Sequence, residues 1–109
     1  MKKFILLYKG PATPMDQMTP EMGEKIKADW ESWMGKVGSA LVDMGSPMAK
    51  GKAVVDDGSE GIVTDLNGYS IVEADNLDAA VQLVDGHPFL SDKSGKFSVE
   101  VFELLPASM

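Results

Sequence analysis

The chain of 109 residues contains no cysteine, so neither a disulfide framework nor a thiolate metal site can form. Histidine is almost as scarce, with His87 as its one copy. Carboxylates are then nearly the whole supply of metal ligands, and the acidic turn DDGSEG (56–61) lacks the alternating oxygen-ligand spacing of a calcium loop. The glycines form neither GxGxxG nor GxxxxGK[ST], and no serine sits in GxSxG, so a phosphate cradle and a hydrolase nucleophile are both missing. No metal and no cofactor are expected. Basic residues are outnumbered, 10 Lys and Arg against 17 Asp and Glu, for a formal net charge of −7. Such a surface repels phosphate backbones, which excludes a nucleic-acid partner. Long hydrophobic runs are absent too. The apolar run Phe4–Tyr8 stops at Lys9, short of the roughly 7–15 residues of a signal-peptide core. Nothing approaches the ~18 apolar residues of a membrane span. The expectation is a soluble cytoplasmic protein, not a membrane one.

What is present is an ordinary globular composition, 44% hydrophobic and 25% charged, sized for one domain spanning 1–109. KFILLYK (3–9) predicts a strand ended by Gly10-Pro11, with Phe4, Leu6 and Tyr8 on one face and Ile5 and Leu7 on the other. A Pro- and Gly-rich loop, 10–18, follows. Thr19 as N-cap, Pro20 at the first helical position and Glu21 in the first turn predict a helix start. Met22, Ile26, Trp30, Trp33, Val37, Leu41 and Met44 recur at steps of three and four, predicting one continuous helix to Gly45. Gly35 and Gly38, each costing about 1 kcal/mol inside a helix, then imply close packing or a bend. MAKGKAVV (48–55) predicts a weaker strand and GYSIVEA (68–74) a strong one. A second helix is predicted over 76–85, with Asp75 as N-cap, Asp78 at the capping-box position and Gly86 beyond its end. FSVEVFELL (97–105) alternates as a last strand.

The order β-α-β-β-α-β matches the ferredoxin-like split βαβ plan, an antiparallel α+β sheet with two helices on one face. The first strand is apolar on both sides, so the sheet's other face needs a cover as well. A second copy of the same sheet supplies it, predicting a homodimer.

Laid out in this way, MKKFILLYKGPATP, ADWESWMGKVGSALVDMG, GYSIVEADNLDAAVQLVDGHPFL and FSVEVFELLP together resemble the YCII-related family of small bacterial proteins. The resemblance implies a dimeric α+β barrel, with a cleft between sheet and helices. It also implies a histidine acting with an acidic residue. Asp43 in LVDMG matches the family's acidic position at the end of the first helix. In Gly86-His87-Pro88-Phe89-Leu90, Phe89 stands where relatives often carry a later histidine.

In this topology His87 shares a sheet edge with Tyr8, the 10–18 loop and Asp56/Asp57, while Asp43 falls at the opposite edge. Tyr8, Asp16 and Asp57 are the better candidates to orient an imidazole whose ordinary pKa of about 6.5 suits proton transfer. The catalytic candidates are therefore His87, Tyr8 and Asp57. Trp30, Trp33 and Phe89 are candidates for the aromatic wall of a ligand cleft, although a helical stripe ordinarily packs a core. Two functions stay open. In one, the cleft binds a small apolar or aromatic metabolite and His87 moves a proton in a cofactor-independent, isomerase- or lyase-like step. In the other, a non-catalytic dimeric module uses His87 as a helix stop, its imidazolium favoured by ~0.3–1 kcal/mol at a helix C-terminus.

Overall fold

The computed structural model describes residues 1–11, 19–91 and 93–106. Of the loop expected over 10–18, all but its first two residues lies outside these ranges, and Asp16 with it.

The first strand, β1 (Lys2–Lys9), buries Phe4, Leu6 and Tyr8, while Ile5, Leu7 and Lys9 on the opposite face are half-buried. Helix α1 (Pro20–Val37) starts as its sequence dictates. Thr19 Oγ accepts from the Met22 N–H at 3.2 Å, and Pro20 occupies the position where a missing N–H is harmless. It ends a full turn or more before the sequence stripe does. Gly38 takes φ +59, and its N–H returns to the Met34 carbonyl. That left-handed cap suits glycine and closes the helix. Leu41 and Met44 continue the helical spacing by coincidence, for Leu41–Pro47 is strand β2. Leu41 still reaches the core, but as a strand residue opposite Val72.

The strand expected over 48–55 is correspondingly reduced to Ala53–Val54 (β3), paired with Glu60–Gly61 (β4) in a small separate ribbon. Strand β5 (Leu66–Ala74) pairs antiparallel with both β1 and β2. Helix α2 (Leu77–Leu83) is capped by Asn76, not Asp75. The extended Asn76 places its side-chain oxygen 2.8 Å from the Ala79 N–H, and Asp75 stands one residue too early to do so. Strand β6 (Ser98–Leu104) then pairs with β1. The sheet order is β2-β5-β1-β6, all antiparallel where paired. This is the ferredoxin-like α+β architecture, with both helices on one face.

The core lies between that face and the helices: Phe4, Leu6, Tyr8, Val72 and Ala74 from the sheet meet Trp33, Val37, Ala80 and Val84. Helix α2 has only seven residues, too few to be stable alone. Two α1 side chains hold its exposed C-terminal carbonyls. Trp33 Nε1 donates to the Leu83 carbonyl at 2.9 Å, and Lys36 Nζ to the Asp85 carbonyl at 2.7 Å. Trp33→Phe keeps an aromatic ring in place but removes the first of these bonds. It is expected to lower stability by about 1 kcal/mol, read from the urea midpoint. An unchanged midpoint would show that the bond does nothing for α2.

Candidate functional site

His87 follows α2 directly. Gly86 at φ +75 turns the chain, the His87 N–H bonds back to the Val84 carbonyl at 2.9 Å, and Pro88 opens a short turn over Pro88–Leu90. The imidazole is buried, at 1% exposure, and ringed by aromatics. Its centroid lies 4.3 Å from Trp33, 4.7 Å from Trp30 and 4.9 Å from Tyr8.

Hydrogen bonds determine which ring nitrogen carries the proton. The Phe89 N–H reaches His87 Nδ1 at 3.0 Å. A backbone N–H only donates, so Nδ1 must be the acceptor and Nε2 holds the proton. His87 Nε2 lies 3.1 Å from Tyr8 Oη and donates to it. Tyr8 Oη in turn donates to Ser70 Oγ at 2.6 Å, and Ser70 Oγ to the Met44 carbonyl at 2.9 Å. The chain begins at a group that can only donate and ends at one that can only accept. Every proton in it therefore points from His87 toward Met44.

Burial gives the same result electrostatically. It pulls the His87 pKa down to about 4, and it pushes the Tyr8 phenol up to about 12, with the Ser70 bond acting against that rise. Both groups are neutral at pH 7. The imidazole caps the turn that follows it, as a neutral acceptor for Phe89, and does not sit as an imidazolium on the end of α2.

Strand β2 makes the far end of the chain possible. Its register against β5 slips between Asp43 and Ser46, marking a bulge with Gly45 at φ +78. Asp43 Oδ1 accepts from the Gly45 N–H at 2.8 Å. Asp43 thus sits mid-strand in β2, opposite Ile71, and not at the end of the first helix. The bulge aims the Met44 carbonyl at Ser70.

Above Tyr8 the bulge also forms one wall of a cavity of about 270 Å³. It is lined by Tyr8, Trp30, Met44, Gly45, Ser46, Pro47, Asn67, Gly68, Tyr69 and Phe89, none of them charged. Trp30 stands edge-on to Tyr8 at 5.3 Å and Phe89 lies tilted over it at 5.2 Å. A wider trough of about 870 Å³ runs between α2 and β6, past Leu77, Val81, Leu90 and Val99. It is more open to solvent and would desolvate a ligand less, so the smaller cavity is the better candidate.

No family model matches the chain, and no curated protein is similar to it in sequence. Among the solved structures similar in shape is the 5-chloro-2-hydroxyhydroquinone dehydrochlorinase TftG of Burkholderia phenoliruptrix, in complex with 2,5-dihydroxybenzoquinone. The TM-score is 0.54 at 18% identity, over 94% of this chain and 93% of that one. What the two share is a fold. It is the ferredoxin-like α+β fold.

Of the residues singled out from sequence, the structure brings His87, Tyr8, Trp30, Trp33 and Phe89 together. Trp33 is buried and not among those lining the cavity; Tyr8, Trp30 and Phe89 are. Asp57 is fully exposed in the β3–β4 turn, where it accepts from the Ser59 N–H at 2.9 Å and the Ser59 hydroxyl at 2.6 Å. Those bonds lower its pKa. Sequence reasoning missed Ser70 and the Met44 carbonyl. A signal for Ser70 existed, because the alternation of GYSIVEA puts it on the same face as Val72 and Ala74, a hydroxyl in a core row.

Proposed function

We propose that this protein is a YCII-related, homodimeric small-molecule binder whose helix–sheet cleft holds one flat, apolar or aromatic molecule against Tyr8, Trp30 and Phe89. The observation that carries this reading is the uncharged, aromatic-walled cavity of about 270 Å³. An apolar cavity of ~150 Å³ takes a benzene, so this one suits a single substituted ring. The flat quinone named in the TftG complex supports a ligand of that size. His87 serves as a positioning residue, fixing Tyr8 through the 3.1 Å bond.

Titrating the intrinsic tryptophan fluorescence with a panel of single-ring aromatics tests the reading. Saturable quenching is expected. Trp30→Ala and Phe89→Ala should each weaken binding by about tenfold, some 1.4 kcal/mol. Trp33→Phe should not. Should no ring compound saturate, or should both alanine variants bind like the parent, the cleft is not a ligand site.

A second reading, isomerase- or lyase-like proton transfer at His87, draws on the same His87–Tyr8 contact. It needs an imidazole with an open lone pair. Here Nδ1 is engaged by Phe89 and Nε2 is protonated, so the turn would have to open first.

The homodimer reading rests on the sheet face away from the helices. Ile5 and Leu7 of β1, Ile71 of β5, and Phe102 and Leu104 of β6 share it by register. Phe102 is 51% exposed in the single chain. A contiguous apolar face of this kind marks an association surface. Light scattering should give twice the chain mass, and Phe102→Asp should give the chain mass itself. A parent protein that scatters as a single chain at every concentration would sink this reading.

A further inference from the structure

We infer that the molecule held in the cleft is an aromatic alcohol bound in its neutral form, its hydroxyl donating a hydrogen bond to Tyr8 Oη. This rests on the binding function above and adds a chemical class to it.

The direction of the hydrogen-bond chain determines what Tyr8 can offer. Phe89 N–H at one end only donates and the Met44 carbonyl at the other only accepts, so the Tyr8 proton is committed to Ser70 at 2.6 Å. Of the two lone pairs on the phenol oxygen, His87 Nε2–H takes one. What remains for a ligand is a single lone pair. A ligand carbonyl or ether oxygen would set lone pair against lone pair, whereas a hydroxyl is matched.

Charge then selects the protonation state. The groups facing Tyr8 are Trp30 from α1, Met44 from β2, Gly68 and Ser70 from β5, Val99 from β6, and His87 and Phe89 beyond α2. Among the described residues of this set His87 is the one titratable member, and it is neutral; Tyr69 also lines the cavity. Ser46 directs its proton to the Pro47 carbonyl at 3.2 Å, and an Asn67 N–H donates to the Gly10 carbonyl at 2.9 Å. Any donor left on Asn67 or Trp30 is uncharged. An anion entering this site would lose its hydration with no cation among the described residues that line it to replace it, in a chain of net charge −7. The burial that holds the Tyr8 phenol at about 12 acts in the same sense on a phenol beside it.

The test uses the full chain and 4-nitrophenol, whose neutral and ionised forms differ in colour, with 4-nitroanisole as the isostere lacking the donor. Binding of nitrophenol should be tighter about one unit below its own pKa than about one unit above it. The bound species should show the spectrum of the neutral phenol, and nitroanisole should bind about tenfold more weakly, as expected for one lost hydrogen bond. Tyr8→Phe should erase the difference between the two probes. A bound phenolate spectrum, or equal affinity for both probes in the parent protein, would overturn the inference while the binding function stands. Absence of saturable binding by either probe would overturn both.

Discussion

Lowering the pH from 7 to about 4.5 is expected to remove on the order of 2 kcal/mol of stability through His87 alone. The imidazole has a pKa of about 4 when folded, against 6.5 for an ordinary histidine. Between those values the unfolded chain takes up a proton that the folded chain refuses, so stability falls as pH falls. Above about 6.5 neither state is protonated and the contribution is constant; below about 4 both are, and the slope ends. The full difference in pKa would correspond to more than 3 kcal/mol, and at pH 4.5, still above the folded pKa, only part of it is realised. The structural reason for the refusal is specific. A second proton would have to sit on Nδ1, where it would face the Phe89 N–H at 3.0 Å, inside a wall of three aromatic rings.

The control is His87→Asn. Asparagine can still accept from the Phe89 N–H, as residues at such caps do, but it does not titrate and it cannot span the distance to Tyr8. Urea midpoints measured across this pH range should therefore fall more steeply in the parent than in the variant, because the carboxylates contribute equally to both. Parallel curves would mean that His87 is protonated in the folded protein near its ordinary pKa, and the directed chain through Tyr8 would be wrong with it. The same comparison separates the two functions read for His87. A general base must bind a proton readily, and a residue that resists one by burial and by an occupied lone pair is built to hold Tyr8.

Much of this architecture is legible in the sequence because local and global signals agree. In β1 the alternation of Phe4, Leu6 and Tyr8 is both a strand pattern and the actual core row. At Thr19-Pro20 and at Gly86-His87-Pro88, capping chemistry and proline leave little choice of chain path. The sequence misleads where two periodicities overlap. Val37, Leu41 and Met44 fit a helix, yet Gly38 breaks it, and β5 offers a strand edge that β2 completes. Tertiary pairing outweighs a local stripe there. The candidate site is legible in part for the same reason. Aromatic and histidine side chains announce themselves, whereas the Met44 carbonyl is a backbone atom whose direction depends on a bulge. No residue type reports that in advance.

That bulge accounts for the other large expected effect. Gly45→Ala should destabilise the protein by more than about 3 kcal/mol, for two independent reasons. At φ +78 an L side chain is strained, and a Cβ built there would run into the Tyr69 carbonyl oxygen, far inside contact. Side-chain rotation cannot relieve a clash between a Cβ and a backbone oxygen, so β2 must move away from β5. The movement would draw the Met44 carbonyl off Ser70, leaving a buried hydroxyl proton without an acceptor and Tyr8 without its fixed orientation. Gly35→Ala gives the contrast. It lies inside α1, and a Cβ there meets nothing within 4 Å, so the glycine does not serve close packing. The change should add up to about 1 kcal/mol by helix propensity. Thermal melts of the two variants should shift in opposite directions, and ring-compound binding should survive in Gly35→Ala and be lost in Gly45→Ala. A Gly45→Ala protein that melts and binds like its parent would mean that the β2 bulge does not build the cleft.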